Sequence, residues 1–95
     1  MKFAFMIMGE GFRPEQDRAE IHGGTAQIIG VSSYDEACRE AVRLKKEGID
    51  CIELCGAFGP EGAKRVIDAV QNSLPVGYVT HLPSQNDIFI KVFGE

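Results

Sequence analysis

Apolar side chains recur along this chain with two different periods, and the alternation between them predicts its elements. Residues 2–8 are apolar at nearly every position, which places apolar groups on both faces of a strand, as in a strand inside a sheet. Residues 9–23 hold Gly, Pro and charges with no sustained period. Pro14 can open a short helix through about Ile21, because proline tolerates the first helical position, and His22-Gly23-Gly24 breaks it. Residues 25–31 read as a second strand. The period then changes to helical: Tyr34, Ala37, Cys38, Ala41, Val42 and Leu44 share one face, Glu40 and Arg43 face out, Ser33 and Glu36 have capping-box spacing, and Gly48 is a natural stop.

Residues 50–55 form a third strand. A second helix begins at Pro60, with Ala63, Val66, Ile67, Val70 and Leu74 as its buried stripe, and Pro75 ends it. Residues 76–81 form a fourth strand, 83–87 a turn-rich loop, and Ile88 to Phe93 a fifth strand. There is no internal repeat, linker or low-complexity segment. The expectation is therefore an α/β fold, a single compact domain over residues 1–95 with a mostly parallel β-sheet and the element order β-β-α-β-α-β-β. Helical crossovers between successive strands imply parallel neighbours and right-handed connections. Two helices cannot cover both faces of five strands that are mostly apolar on both sides, so apolar sheet is left over. Its simplest cover is a second copy of the chain, which points to a homo-oligomer.

Composition adjusts this picture only slightly. The 95 residues are 44% hydrophobic and 25% charged, with a formal net charge of -4 and ten scattered Lys and Arg, so no basic patch invites nucleic acid or an anionic membrane. The apolar run from Phe3 to Met8 is stopped by Gly9-Glu10-Gly11, too short for a signal peptide or a membrane span. The three cysteines lack disulfide-scaffold spacing. These features lead us to expect a cytoplasmic protein with reduced thiols.

The candidate chemistry gathers in Asp50 to Gly62, which reads as strand, glycine-rich turn and helix start. On an extended chain Cys51, Glu53 and Cys55 share one face, and Ile52 and Leu54 the other. The two thiols are then roughly 13 Å apart. That is too far for a disulfide, which needs Cα atoms within about 7 Å, or for shared zinc ligation at about 2.3 Å, so no metal site is expected. Cys51 reads as a small buried hydrophobe. Cys55, beside Gly56, is either the same or a functional thiol. Glu53 is costly inside an apolar strand unless paired. It is either a salt-bridge or interface residue, or a general acid or base.

The turn Gly56-Ala57-Phe58-Gly59-Pro60-Glu61-Gly62 feeds a helix N-terminus, which favours an anion, although Glu61 in the first turn can itself neutralise the dipole. The spacing is neither a Walker loop nor a dinucleotide fingerprint, and no cofactor is identified. Ligands collect beyond the carboxyl ends of parallel strands. That edge should bring together residues 55–59, residues 81–87 and Glu10 to Arg13. The catalytic candidates are thus Glu53, Cys55 and His81, and the ligand-binding candidates Gly56, Phe58, Gly59, Gly62, Ser84 and Asn86. His22 should lie at the opposite edge, and the charges from Arg13 to Arg18 read as a solvated face.

The run Ile52-Glu53-Leu54-Cys55-Gly56-Ala57-Phe58-Gly59-Pro60-Glu61-Gly62 resembles the signature of a family of small bacterial proteins of unknown function. The resemblance extends to the Phe-rich first strand, Arg13-Pro14-Glu15, Tyr34-Asp35-Glu36-Ala37 and Gly48-Ile49-Asp50. It implies no assigned activity. A second, local similarity is to (β/α)8 barrel enzymes of the tryptophan synthase alpha-chain type, echoed here by Gly48, Asp50, Ile52, Glu53, Leu54 and Phe58. There the glutamate is catalytic. The chain is too short for eight β/α units, and Cys55 replaces a glycine, so this supports Glu53 by analogy alone. The sequence leaves three readings: binding of a small anionic metabolite at residues 56–62, a small lyase or isomerase using Glu53, and a homo-oligomeric structural subunit.

Overall fold

The computed structural model describes residues 1–94, with strands β1 (Phe3–Met8), β2 (Arg18–Ile21), β3 (Ala26–Val31), β4 (Cys51–Leu54) and β5 (Val76–Tyr78), and helices α1 (Tyr34–Lys46), α2 (Gly59–Ala69) and α3 (Asn86–Phe93). The sheet order is β2-β3-β1-β4-β5. β1 runs parallel to β3 and β4, β4 runs parallel to β5, and only β2 is antiparallel. The mostly parallel α/β fold is as the sequence implied.

From β3 the chain crosses β1 to reach β4, and from β4 it steps on to β5 in the same direction. Right-handed crossovers taken in one direction put both helices on one face. α1 and α2 accordingly touch: the Tyr34 hydroxyl donates to the Phe58 carbonyl at 3.0 Å, and Lys45 Nζ donates to the Val70 carbonyl at 3.4 Å. The core lies between this helix pair and the sheet. It is built from Ala4, Met6, Ile29 and Val31, from Ile52 and Leu54, and from Ala37, Ala41, Leu44, Phe58, Val66 and Val70.

Local chemistry explains the ends of α1. Ser33 Oγ accepts from the Glu36 N–H, while the Glu36 carboxylate accepts from the N–H and hydroxyl of Ser32, one residue before the cap. A cap of this kind is worth about 1 kcal/mol. Past the other end, Gly48 has φ +90°, a conformation that costs glycine nothing. Arg18 does not belong to a solvated face: its guanidinium pairs with Glu40, which also holds Arg43, and so ties edge strand β2 to α1.

Four expectations need correction. Residues 14–21 are a turn followed by β2 rather than a helix. The Asp17 carboxylate accepts from the Arg13 N–H at 2.7 Å, the Asp17 carbonyl accepts from the Gly30 N–H at 2.7 Å, and residues 18–21 then pair with β3. α2 ends at Ala69, before Pro75, because Gln71 and Asn72 adopt φ +59° and +52°; Leu74 packs against the core from the following segment. Residues 88–93 are helical rather than a fifth strand, so the observed order is β-β-β-α-β-α-β-α. The fourth strand is also shorter than expected, although the Val79 N–H still donates to the Leu54 carbonyl.

The other face of the sheet carries Phe3, Phe5 and Ile7 from β1, Ala26 and Ile28 from β3, Ala19 and Ile21 from β2, and Cys51 and Glu53 from β4. Phe12 and Asp17 close over Gly30, but among the described residues no helix covers this face. Among the described residues no helix is long and apolar enough to cross a membrane.

Candidate functional site

The turn between β4 and α2 is shaped by two side chains and two glycines. Phe58 turns inward, 1% exposed, and stacks on Tyr34 with ring centroids 6.1 Å apart. Gly59 has φ +62°, which reverses the chain into α2, and Pro60 occupies the first turn, where its missing N–H costs nothing. Gly62 lets the helices approach: a Cβ there would lie 2.8 Å from Tyr34 Cε1. Burying Phe58 leaves Gly56 and Ala57 exposed at the surface. No side chain caps α2, whose first turn contains Glu61.

Opposite this turn, the chain leaving β5 runs through Val79, Thr80 and His81, then through a 3-10 turn at Pro83–Gln85 into α3. His81 Nε2–H donates to Asn86 Oδ1 at 2.8 Å, an acceptor one turn into the returning chain. The imidazole stacks on Phe89, and Phe89 stacks on Phe93 with centroids 5.7 Å apart. Phe89 and Phe93 are four apart and so share one side of α3. Stacked pairs of this kind are worth about 0.5–1.5 kcal/mol each, and they fold α3 back toward the glycine turn. α3 ends at Gly94, φ +80°, whose N–H returns to the Ile90 carbonyl at 2.7 Å.

A cleft of about 740 Å³ lies between the two segments, at the carboxyl ends of β4 and β5. Gly56, Ala57, Gly59 and Pro60 form one wall, the chain from Tyr78 to His81 the floor, and Phe89 and Phe93 the other wall. Most of that surface is carbon. The polar residues in its lining are Tyr78, Thr80 and His81, beside the backbone of the turn. This volume falls within the range of small-molecule sites, which are mostly apolar with a few placed polar groups.

The candidates from the sequence divide into two regions. Gly56, Gly59 and His81 line the cleft, and Asn86 is joined to it through His81. Ser84 lies in the 3-10 turn below α3, outside the lining. Phe58 and Gly62 are buried behind the turn. Cys55 packs against the core, and its Sγ accepts from the Met8 N–H at 3.3 Å. Arg13, from the loop after β1, pairs with Glu15 and is outside the lining.

Glu53 lies on the uncovered sheet face. Its carboxylate rests across β5, and a Cβ at Gly77 would lie 2.8 Å from its Oε1. The Cys51 thiol donates to it at 3.6 Å. Burial, and then the neighbouring carboxylate, push the Cys51 thiol above its ordinary range. Among the described residues Glu53 has no basic partner, and no group of three or more His, Cys, Asp and Glu could hold a metal ion.

Tyr78, Val79, Phe89 and Phe93 escaped the sequence reading. The usable signal was Phe89 and Phe93 at a spacing of four, between Asp87 in a first helical turn and Gly94 as a stop.

In comparisons with known proteins, a family model described as "Family of unknown function (DUF6506)" matches residues 1–94. No curated protein and no solved structure matches the chain.

Proposed function

The chain belongs to that family of unknown function, which brings no activity with it, and we propose that it binds a small metabolite with an apolar body and an anionic head in the cleft between the glycine turn and α3. The observation that carries this reading is the cleft itself, placed at the carboxyl ends of parallel strands, where open α/β sheets hold ligands. The aromatic wall suits the apolar body. The uncapped first turn of α2 offers backbone N–H groups and a positive dipole end for the head.

The reading is one of binding: of the three catalytic candidates only His81 lines the cleft, and Glu53 and Cys55 lie outside it. The three cysteines are all unpaired, which fits work in the reducing cytoplasm.

A thermal-shift screen of carboxylate and phosphate metabolites, with and without apolar tails, tests the proposal. A ligand at a hundred times its Kd stabilises by about 2.7 kcal/mol, a rise on the order of 10 °C for a domain of this size. Tailed anions should raise Tm, and inorganic phosphate alone should not. A flat response across the panel would count against the site.

A further inference from the structure

The side of α3 turned away from the cleft and the uncovered face of the sheet are both apolar and both without a partner in the single chain. Ile88 and Val92, four apart, share that outer side of α3, and Val92 is 67% exposed. A short helix apolar nearly all round is ordinarily buried. On the sheet, Phe3, Ile28 and Ile21 are exposed, the last at 63%, and with Phe5 and Ala19 they surround a shallow hollow of about 150 Å³. That is room for one large side chain.

We propose that these two surfaces are halves of one contact, and that the chain forms a two-fold dimer in which α3 of each copy lies on the open sheet face of the other. The apolar surface on offer is substantial: Ile88 and Val92 on α3 are 55% and 67% exposed, and Phe3, Ile21 and Ile28 on the sheet are 39%, 63% and 45% exposed. The charges also match. Lys91, beside Ile88 and Val92 on α3, has no acidic partner among the described residues, and Glu53 on the open face has no basic one. Laying the helix on the face brings opposite charges to the same contact. The exchange is isologous: each copy gives a helix and receives one, so the assembly closes at two. This dimer does not depend on the cleft having a ligand, since Phe89 and Phe93 face the cleft from the other side of the helix.

Sedimentation equilibrium on the full chain tests the proposal. The wild-type protein should have twice the chain mass at tens of micromolar. Lys91→Glu and Glu53→Lys should each weaken the dimer at least tenfold, and the double variant should recover most of that loss. Val92→Glu should be monomeric with an unchanged circular dichroism spectrum. A monomeric wild type, or a larger ring or polymer, overturns the proposal. So does a dimer unaffected by Val92→Glu, or a charge reversal without recovery. Should a variant unfold, amide exchange on the wild type decides: α3 and β1 amides should gain protection together as concentration rises, and protection independent of concentration overturns the contact. Ala57→Glu separates the two proposals, because a carboxylate in the glycine-turn wall of the cleft should impair binding of an anion while leaving α3 in place and the mass doubled.

Discussion

The imidazole of His81 stacks on the ring of Phe89 with centroids 3.8 Å apart and planes 8° from parallel. Together with the bond from His81 to Asn86, this pair attaches α3 to the chain leaving β5 and gives the cleft its second wall. α3 has no buried residue of its own, so within one chain its position depends on the ring ladder.

Phe89→Ala removes both stacking contacts of that ladder. α3 should then exchange its amides at rates near those of an open segment, while β1, β3 and β4 keep their protection, because the helix lies outside the core. Global stability should fall by no more than about 1–2 kcal/mol. Affinity for any cleft ligand should drop at least tenfold. Hydrogen exchange followed by mass spectrometry checks the first outcome, and titration calorimetry the last.

Gly62→Ala should destabilise the protein. Alanine favours a helix interior by up to about 1 kcal/mol over glycine, but here its Cβ would meet Tyr34 Cε1 at 2.8 Å and Phe58 at 3.1 Å. Phe58 is sealed in the core and cannot move aside, so overpacking of about 1–3 kcal/mol outweighs the helical gain. A drop in Tm of several degrees is expected by calorimetry; an unchanged or higher Tm would show that the α1–α2 contact is looser than described.

Gly77→Ala provides a contrast at a similar distance. Its Cβ would also lie 2.8 Å from a neighbour, but that neighbour is Oε1 at the end of the flexible Glu53 side chain. The carboxylate can swing away, so stability should change by less than about 1 kcal/mol while the thiol–carboxylate contact to Cys51 is lost. Urea unfolding of this variant beside Gly62→Ala should separate the two cases.

The Cys51 thiol titrates above its ordinary range, through burial first and Glu53 second. Alkylation of Cys51 by iodoacetamide should therefore be slow at neutral pH. Glu53→Gln should shift its rate profile toward lower pH without restoring an ordinary thiol, since burial remains. For an acid whose pKa is raised on folding, the stabilised form is the protonated one. The associated stability is fully present below the unfolded thiol's pKa and is lost as pH rises through the folded value. Equilibrium unfolding across the alkaline range should show a smaller loss in Cys51→Ser than in the wild type, the remainder including Cys38, whose thiol burial also pushes up.

The helical and strand periods were legible wherever the core enforces them. Met6, Ile52, Leu54, Ala41 and Val66 each sit on the buried side their spacing required. The reading failed at the two segments the core does not reach. Residues 18–21 have little apolar signal of their own and become a strand only because β3 offers an unpaired edge and Asp17 holds the chain against Gly30. In Ile88 to Phe93 the β-branched and aromatic content pointed to a strand, while Asp87 and Gly94 marked a helix. Within the site, Gly56, Gly59 and His81 could be placed together from topology alone. The misreading of residues 88–93 concealed the aromatic wall. The prominence of Glu53 came from its apolar neighbours in sequence, yet strand alternation turns it to the uncovered face, away from the cleft.

The most direct test of the binding site is a titration of isotope-labelled protein with the strongest tailed anion from the thermal screen, followed by backbone amide NMR. Binding in the cleft should move the amides of Gly56, Ala57, Gly59, Val79, Thr80, His81 and Phe89 together, saturating at one ligand per chain, and leave Cys51, Glu53 and Gly77 in place. Saturating shifts confined to Cys51, Glu53 and Gly77, with the glycine turn and α3 unmoved, would contradict it.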